Sequence, residues 1–235
     1  MKKLVLSICV FFAVSCAELQ QIADEAMQNQ SISNADISAG LKQALSQGIQ
    51  DRVSNLASEN GFFNNDLVRI MLPDELKTLD NTLRNVGLGN LADQGLKMLN
   101  RAAEDAVAEA TPVFMNAIRE LTITDARNIL MGDQVAATNY LKSQTQEELY
   151  QRFQPIIENS FAKVGAADVW SNVIQRYNQI PLTQNVNPDL TDYVTQEALK
   201  GVFVMLEIEE RQIRDRVGMR KTDLMRKVFA LQDRT

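Results

Sequence analysis

The sequence predicts an all-α protein, a single multi-helix bundle of roughly nine or ten helices that follows an N-terminal signal and tether. Apolar residues recur every three or four positions almost throughout the chain, as a buried helical stripe requires. The clearest such stripe is formed by Leu41, Leu45, Ile49, Val53 and Leu56. No comparable run alternates with the period of two that is typical of strands. Capping residues, glycines and prolines then divide the helical pattern into elements.

The first element is an export signal of the bacterial kind. Lys2 and Lys3 precede an apolar run over residues 4–14. At eleven residues this run is too short for a permanent transmembrane helix, which needs about 20. We therefore predict a cleaved signal peptide over residues 1–15.

The residues at the end of this signal resemble the lipobox of bacterial lipoproteins. In Ala13-Val14-Ser15-Cys16, small residues precede a cysteine, which predicts that Cys16 is acylated and becomes the mature N-terminus. The alternative is an ordinary signal-peptidase site beside an incidental thiol. Cys9 is lost with the signal, so a disulfide within one mature chain is excluded.

The mature chain is acidic. Without Lys2 and Lys3, Lys and Arg fall from 24 to 22 against 30 Asp and Glu, a net charge of −8. This charge disfavours nucleic acid, which needs a basic surface, and adsorption to anionic lipid headgroups. The acyl group on Cys16 is therefore the predicted attachment to the membrane.

A tether and an all-helical domain follow. Residues 16–37 are rich in Gln, Asn, Ser and Ala, and are predicted to form a lipidated N-terminus and flexible tether. Residues 38–235 are predicted to form the helical domain. Its first helix ends at Asn60-Gly61, Pro73-Asp74-Glu75 opens the second helix, and Gly87-Leu88-Gly89-Asn90 is the next turn. Later helices are predicted at 91–110, 111–121, 124–132, from Asp133, from a capping box at Thr145, at 165–180, 189–217 and 219–231.

The chain contains no histidine. This excludes Ser-His-Asp and Cys-His machinery, the common zinc sites, and the E-x-x-H ligands of di-iron bundles. We expect neither a metal nor a cofactor. Carboxylates remain as the natural groups for acid–base chemistry.

Two glutamates interrupt the apolar stripe of the last long helix. Glu209 and Glu210 fill the gap between Leu206 and Ile213, so at least one of them is expected to point at or beside the core. A buried carboxylate needs a cation nearby, and Arg214 follows Glu210 by four residues. This pattern predicts either a structural ion pair that fixes helix register or one wall of a polar pocket.

The candidate second wall lies on the small-residue helix. Asn100 and Glu104 share one face beside Arg101, and four alanines nearby permit a close helix crossing. The ligand-binding or ion-pair candidates are therefore Asn100, Arg101, Glu104, Glu210 and Arg214. No residue is predicted to be catalytic.

Two short motifs and a set of aromatic residues are weaker indications of function. Gly87-Leu88-Gly89-Asn90-Leu91-Ala92 matches G-x-G-x-x-A, but a helix precedes it where a dinucleotide site needs a strand. Ser160-Phe161-Ala162-Lys163 matches S-x-x-K without its companion S-D-N and K-T-G elements. The aromatic residues Phe62, Phe63, Trp170 and Tyr177 either close an end of the bundle or line an apolar groove.

A set of segments in chain order resembles the bacterial family called domain of unknown function 4197, over roughly residues 36–229. The segments are Gly40-Leu41-Lys42-Gln43-Ala44-Leu45, Gly61-Phe62-Phe63-Asn64-Asn65, Leu72-Pro73, Asn100-Arg101-Ala102-Ala103-Glu104, Asp125-Ala126-Arg127-Asn128-Ile129-Leu130, Ala136-Ala137-Thr138-Asn139-Tyr140 and residues 193–214. The resemblance implies an exported, often lipidated, helical protein of unestablished activity, and transfers no catalytic residue.

Three functions follow from these observations. The favoured one is a lipid-anchored binding or interaction module of the bacterial envelope that recognises an apolar ligand, a peptide or an envelope protein, with no nucleic acid partner. The alternatives are a histidine-free enzyme using Glu104 or Glu210 as acid and base, and a purely structural envelope component. Ala17 after the cysteine favours the outer membrane, with the domain facing the periplasm or the cell surface.

Overall fold

The computed structural model describes residues 32–234 apart from 74–76, 86, 88, 164, 180 and 182–184. Asn34–Thr235 forms one compact unit. The predicted signal peptide, Cys16 and most of the predicted tether lie outside the described residues. Every regular element within the described residues is helical, which confirms the all-α prediction.

The α-helices are numbered here in chain order. They are α1 Asn34–Ala57, α2 Lys77–Asn85, α3 Gly89–Val107, α4 Ala110–Glu120, α5 Ile123–Leu130, α6 Ala136–Ala162, α7 Ala166–Tyr177, α8 Leu190–Asp215 and α9 Asp223–Phe229. Short 3-10 turns occupy Val217–Met219 and Gln232–Arg234. Two of these helices are short, since α5 has eight residues and α9 has seven. The described residues therefore contain seven longer helices, whereas nine or ten helices were predicted.

Two predicted helices are in fact one. The boundary placed at Thr145 is wrong, because α6 runs without a break from Ala136 to Ala162 and includes Pro155. Thr145 is buried in mid-helix, where its hydroxyl donates to the carbonyl oxygen of Leu141 at 2.6 Å. Inside a helix, a threonine hydroxyl can form its hydrogen bond with the carbonyl oxygen four residues earlier. The capping pattern at Thr145 therefore does not mark a helix start.

The start of the domain also differs from the prediction. Helix α1 begins at Asn34, so the last residues assigned to the tether are helical. The apolar stripe explains the extension, because Ile37 precedes Leu41 by four residues and is also buried. The hydrophobic face of α1 therefore reaches one turn further than the sequence boundary indicated.

Helices α6 and α8 pack against each other in antiparallel directions at the centre of the domain. The start of α6 lies beside the end of α8, where Thr138 contacts Glu210, and Tyr150 lies beside Asp192 near the start of α8. Helix α1 packs on α8 and contacts α4, α5 and α9 along its length. One large core joins α1, α3, α4, α6 and α8, and an edge-to-face contact between Phe114 and Phe203, with centroids 5.9 Å apart, lies within it.

The segment after α1 is irregular but closely packed. Asn60 adopts a left-handed conformation, with φ at 61°, and turns the chain so that the side chain of Phe62 is completely buried. A Cβ atom on Gly201 of α8 would lie 2.6 Å from the Phe62 ring, so only glycine lets the segment approach so closely. Among the described residues, no helix has the length and apolar character needed to cross a membrane.

Candidate functional site

The predicted pair of Glu210 and Arg214 is present and sealed. The Glu210 side chain is 7% exposed and that of Arg214 is 1% exposed. The guanidinium of Arg214 donates through Nε and Nη2 to Oε1 of Glu210, at 3.0 and 2.7 Å. Because two hydrogen bonds to one carboxylate oxygen join the two charges away from solvent, neither is free to serve a reaction.

The remaining contacts of this pair are with helix ends. Glu210 accepts from the backbone nitrogens of Ala137 and Thr138 at 2.9 and 2.8 Å, in the first turn of α6. Arg214 donates to the backbone oxygens of Ile129 and Leu130 at 2.9 and 3.0 Å, in the last turn of α5. A carboxylate suits the positive N-terminal end of a helix and a cation suits the negative C-terminal end. The pair therefore caps two consecutive helices and ties both to α8.

Glu209 is also buried and has a different partner. Its Oε2 lies 2.6 Å from Nη2 of Arg52 on α1, which also donates to Gln212 at 3.1 Å. The sequence predicted that at least one of Glu209 and Glu210 would point toward the core, and both do. Arg52 was missed, although its place beside Val53 at the edge of the α1 stripe was the available signal.

Asn100 and Glu104 hold the irregular segment after α1. Asn100 accepts from the backbone nitrogen of Ile70 and donates to its oxygen, both at 2.8 Å. Glu104 accepts from the backbone nitrogens of Asn60, Phe62 and Phe63 at 3.1, 3.2 and 3.5 Å. These side chains replace the backbone partners that a strand or helix would have supplied.

Arg101 lies at the surface of the same helix. Its side chain is 51% exposed, with Nη1 3.4 Å from Glu104 and Nη2 2.7 Å from Asp105. Among the described residues, the Asn100–Glu104 set and the Glu210–Arg214 pair share no hydrogen-bond partner, so the structure does not bring them together as two walls of one polar pocket.

Arg220 was missed in the sequence, and Ser160 and Gly87 belong to motifs that were not predicted to be functional. Arg220 is buried, donates to the backbone oxygens of Ile213 and Arg214 at the end of α8, and pairs with Asp233 at 2.6 Å. Ser160 donates to the backbone oxygen of Ile156, as a serine within a helix commonly does. Gly87 has φ at 82° and ends α2, as a helix-terminating glycine should.

The aromatic residues close the bundle. Trp170 stacks on Tyr193 with centroids 5.8 Å apart, and its ring nitrogen donates to the backbone oxygen of Asn187. Phe62 is completely buried, and Phe63 receives the guanidinium of Arg69 over its ring. The side chain of Tyr177 lies outside the described residues. The apolar-groove alternative for these aromatics is therefore not supported where they are described.

A groove does follow the seam between α6 and α8, with a volume of about 550 Å³. We call it the α6–α8 groove, and it is lined by Thr138, Asn139, Lys142, Gln146, Tyr150, Gln196, Glu197, Leu199, Lys200, Phe203, Val204 and Glu207. Its floor is apolar and its walls carry amides, hydroxyls and charges of both signs. The ammonium of Lys142 lies over the Phe203 ring, 5.9 Å from its centroid. This arrangement suits a partner that is partly apolar and hydrogen-bonding.

One wall group of the α6–α8 groove is fixed in its neutral form. The hydroxyl of Tyr150 donates to Oδ1 of Asp192 at 2.6 Å, and this bond raises the pKa of Tyr150 to about 12. Asp192 also accepts from Gln196 and Asn187, which hold its carboxylate in place. Tyr150 is therefore a neutral hydroxyl throughout the physiological range.

This contact predicts a change in stability at high pH. Because the pKa is about 12 in the folded chain and near 10 when unfolded, the contribution of Tyr150 is complete below pH 10 and declines as the pH rises toward 12. The free energy of unfolding of wild type minus that of Tyr150→Phe, measured by urea titration at pH 8, 10 and 11, should fall over the last interval. A constant difference would contradict the assignment.

The comparisons with known proteins can be set against this geometry. A family model described as protein of unknown function (DUF4197) matches residues 31–230. The matched range contains α1 to α9 and the buried polar clusters of Glu104 and Glu210. No curated protein and no solved structure matches the chain. The matched segment spans most of the sequence, so the resemblance is confirmed and the chain belongs to the DUF4197 family of proteins of unknown function.

Proposed function

We propose that this protein is a lipid-anchored protein of the bacterial envelope, held in the outer membrane by the acyl group on Cys16, and that its helical domain is a binding module. The ligand class is a peptide segment or an envelope protein that offers apolar side chains together with hydrogen-bonding groups. The domain faces the periplasm or the cell surface. The anchor rests on the export signal and lipobox pattern of residues 1–16.

The buried carboxylates support binding over catalysis. Glu104 is 2% exposed and Glu210 is 7% exposed, and each is saturated by backbone amides and an arginine. An acid–base catalyst must reach the proton that it transfers, and these groups face helix ends and a packed segment. A histidine-free enzyme built on either glutamate would need a solvent-reachable carboxylate at that position.

The α6–α8 groove carries the binding proposal. It is open to solvent, apolar at Leu199 and Phe203, and bordered by Lys142, Gln146 and Gln196. A partner segment can bury apolar side chains against this floor while its backbone bonds to the wall amides. A purely structural component would not need such a recess along the seam of its two longest helices.

The anchor is tested by the Cys16→Ser variant. Wild type extracted from its own membrane is expected to carry an added acyl mass and to partition into detergent, because several buried acyl CH₂ groups give stable attachment. Cys16→Ser is expected to lack that mass and to partition into the aqueous phase. Intact mass spectrometry and phase partitioning report both results, and a wild type without acyl mass would overturn the anchor.

The groove is tested separately with Gln146→Trp. An indole at this position is expected to fill the α6–α8 groove and to remove co-purifying material that native mass spectrometry detects on wild type extracted from its own membrane. Gln144→Trp is the matched control, because Gln144 is exposed on the same helix outside the groove. Equal retention of the material by both variants would contradict the groove assignment.

A further inference from the structure

One side of α5 carries exposed apolar residues. Ile123 is 51% exposed and Met131, directly after the helix, is 47% exposed. Arg127 is exposed between them. Successive members of this series are four residues apart, so they follow one side of the helix at intervals of about 6 Å. We call Ile123, Arg127 and Met131 the α5 stripe.

The face of α5 next to this stripe is buried in the domain. Ala126, Ile129 and Leu130 are buried, and Arg214 caps the last turn of the helix. The carboxylate of Asp125 is engaged in a capping box with Thr122, from which it accepts at 3.1 and 2.6 Å. The α5 stripe therefore flanks the buried face of a helix whose two ends are held by the capping box and by Arg214, while about half of Ile123 and of Met131 remains exposed.

The start of the domain lies beside this stripe. The guanidinium of Arg127 contacts Oδ1 of Asn34, the first residue of α1, at 3.5 Å. Only eighteen peptide steps separate Asn34 from Cys16. Whatever path these residues take, they span at most about 65 Å at 3.3–3.6 Å per residue. The segment that follows the predicted acyl group therefore joins the domain at the end of α1 that lies beside the α5 stripe.

We infer that the α5 stripe is the surface that the domain lays against the lipid bilayer. The inference rests on the proposed function, because the acyl group on Cys16 is what keeps a bilayer within reach. Ile123 and Met131 would enter the interfacial layer, and the guanidinium of Arg127 would meet lipid phosphates while its stem stays among apolar groups. The net charge of −8 of the predicted mature chain opposes adsorption by charge alone, so the stripe sets the orientation of a domain that the acyl group already holds.

The test places a reporter on the stripe of the full-length, acylated protein. The only cysteine of the predicted mature chain carries the acyl group, so Ile123→Cys and Met131→Cys each offer one free thiol for an environment-sensitive fluorophore. Each labelled protein is reconstituted in phosphatidylethanolamine–phosphatidylglycerol vesicles with nitroxide-labelled lipids. At either position the nitroxide is expected to reduce the fluorescence by at least about twofold, because an inserted label contacts lipid directly.

Leu67→Cys is the matched control. Leu67 is 67% exposed and lies in the segment that follows the C-terminal end of α1, which spans 24 residues and so about 35 Å from the end near α5. Its fluorescence is expected to be unchanged by the nitroxide lipids. Adding Arg127→Glu to Ile123→Cys should weaken quenching, and circular dichroism checks that each labelled variant keeps the helical content of wild type.

The outcomes separate this inference from the anchor itself. Acylated protein that stays on the vesicles without quenching at positions 123 and 131 would overturn the α5 assignment and leave the lipid anchor standing. Equal quenching at position 67 would also overturn it, because the domain would then have no preferred face. Protein without an acyl mass in the same samples would overturn the anchor, and the inference with it.

Discussion

Arg214→Ala is expected to lower the free energy of unfolding by about 3–5 kcal/mol, the cost typical of leaving one member of a buried ion pair alone. The change leaves the Glu210 carboxylate buried without its cation. It also removes the donors that serve the backbone oxygens of Ile129 and Leu130 at the end of α5. Urea titration followed by circular dichroism measures the loss at neutral pH.

The same helix supplies the control. Glu207 and Arg211 form a pair with the same spacing as Glu210 and Arg214, but their side chains are 43% and 49% exposed. Arg211→Ala is therefore expected to cost under about 1 kcal/mol, as exposed pairs do. If the two variants lose similar amounts, the Glu210–Arg214 pair has no special role in holding α5 and α6 to α8.

Glu104→Ala is expected to cost about 3 kcal/mol. The side chain accepts from three backbone nitrogens of the segment after α1, and a buried amide without an acceptor costs roughly 1–3 kcal/mol. Loss of these bonds should also loosen the segment locally. Hydrogen exchange at Phe62 and Phe63 is expected to accelerate in Glu104→Ala before global unfolding is affected.

Asp105→Ala tests whether the loss of stability in Glu104→Ala depends on the burial of the Glu104 carboxylate. Asp105 is the neighbouring acid on α3, is 41% exposed and pairs with Arg101 at 2.7 Å. Its removal should change the free energy of unfolding by under about 1 kcal/mol and leave the exchange of Phe62 and Phe63 unaltered. Unchanged exchange in Glu104→Ala would contradict the role of the Glu104 hydrogen bonds in holding this segment.

The helices were predictable because their periodicity is local. The stripe from Leu41 to Leu56 and the pattern from Leu199 to Ile213 each lie within one element, so sequence spacing alone identifies the buried face. The Glu210–Arg214 contact was predictable for the same reason, since residues four apart on a helix are neighbours. The false boundary at Thr145 arose because a capping pattern and a buried mid-helix threonine use the same residues.

The long-range partners were not predictable in this way. Nothing in the spacing of Asn100 and Glu104 says that the segment after α1 would supply their hydrogen bonds. Their polar groups only required some partner, and a second helix and an irregular segment satisfy that requirement equally. The same holds for Arg52, which meets Glu209 from 157 residues away. Tertiary contacts of this kind depend on how whole helices pack.

The Glu210–Arg214 pair also couples parts of the chain that could otherwise open one at a time. Both charges of the pair lie on α8 and cap the end of α5 and the start of α6, so detaching either helix leaves terminal backbone groups and one side of a buried charge without hydrogen-bond partners. Local fraying at the junction between α5 and α6 therefore costs more than fraying of an uncapped junction would. A force applied to α5 from outside the domain is transmitted directly to its longest central helices.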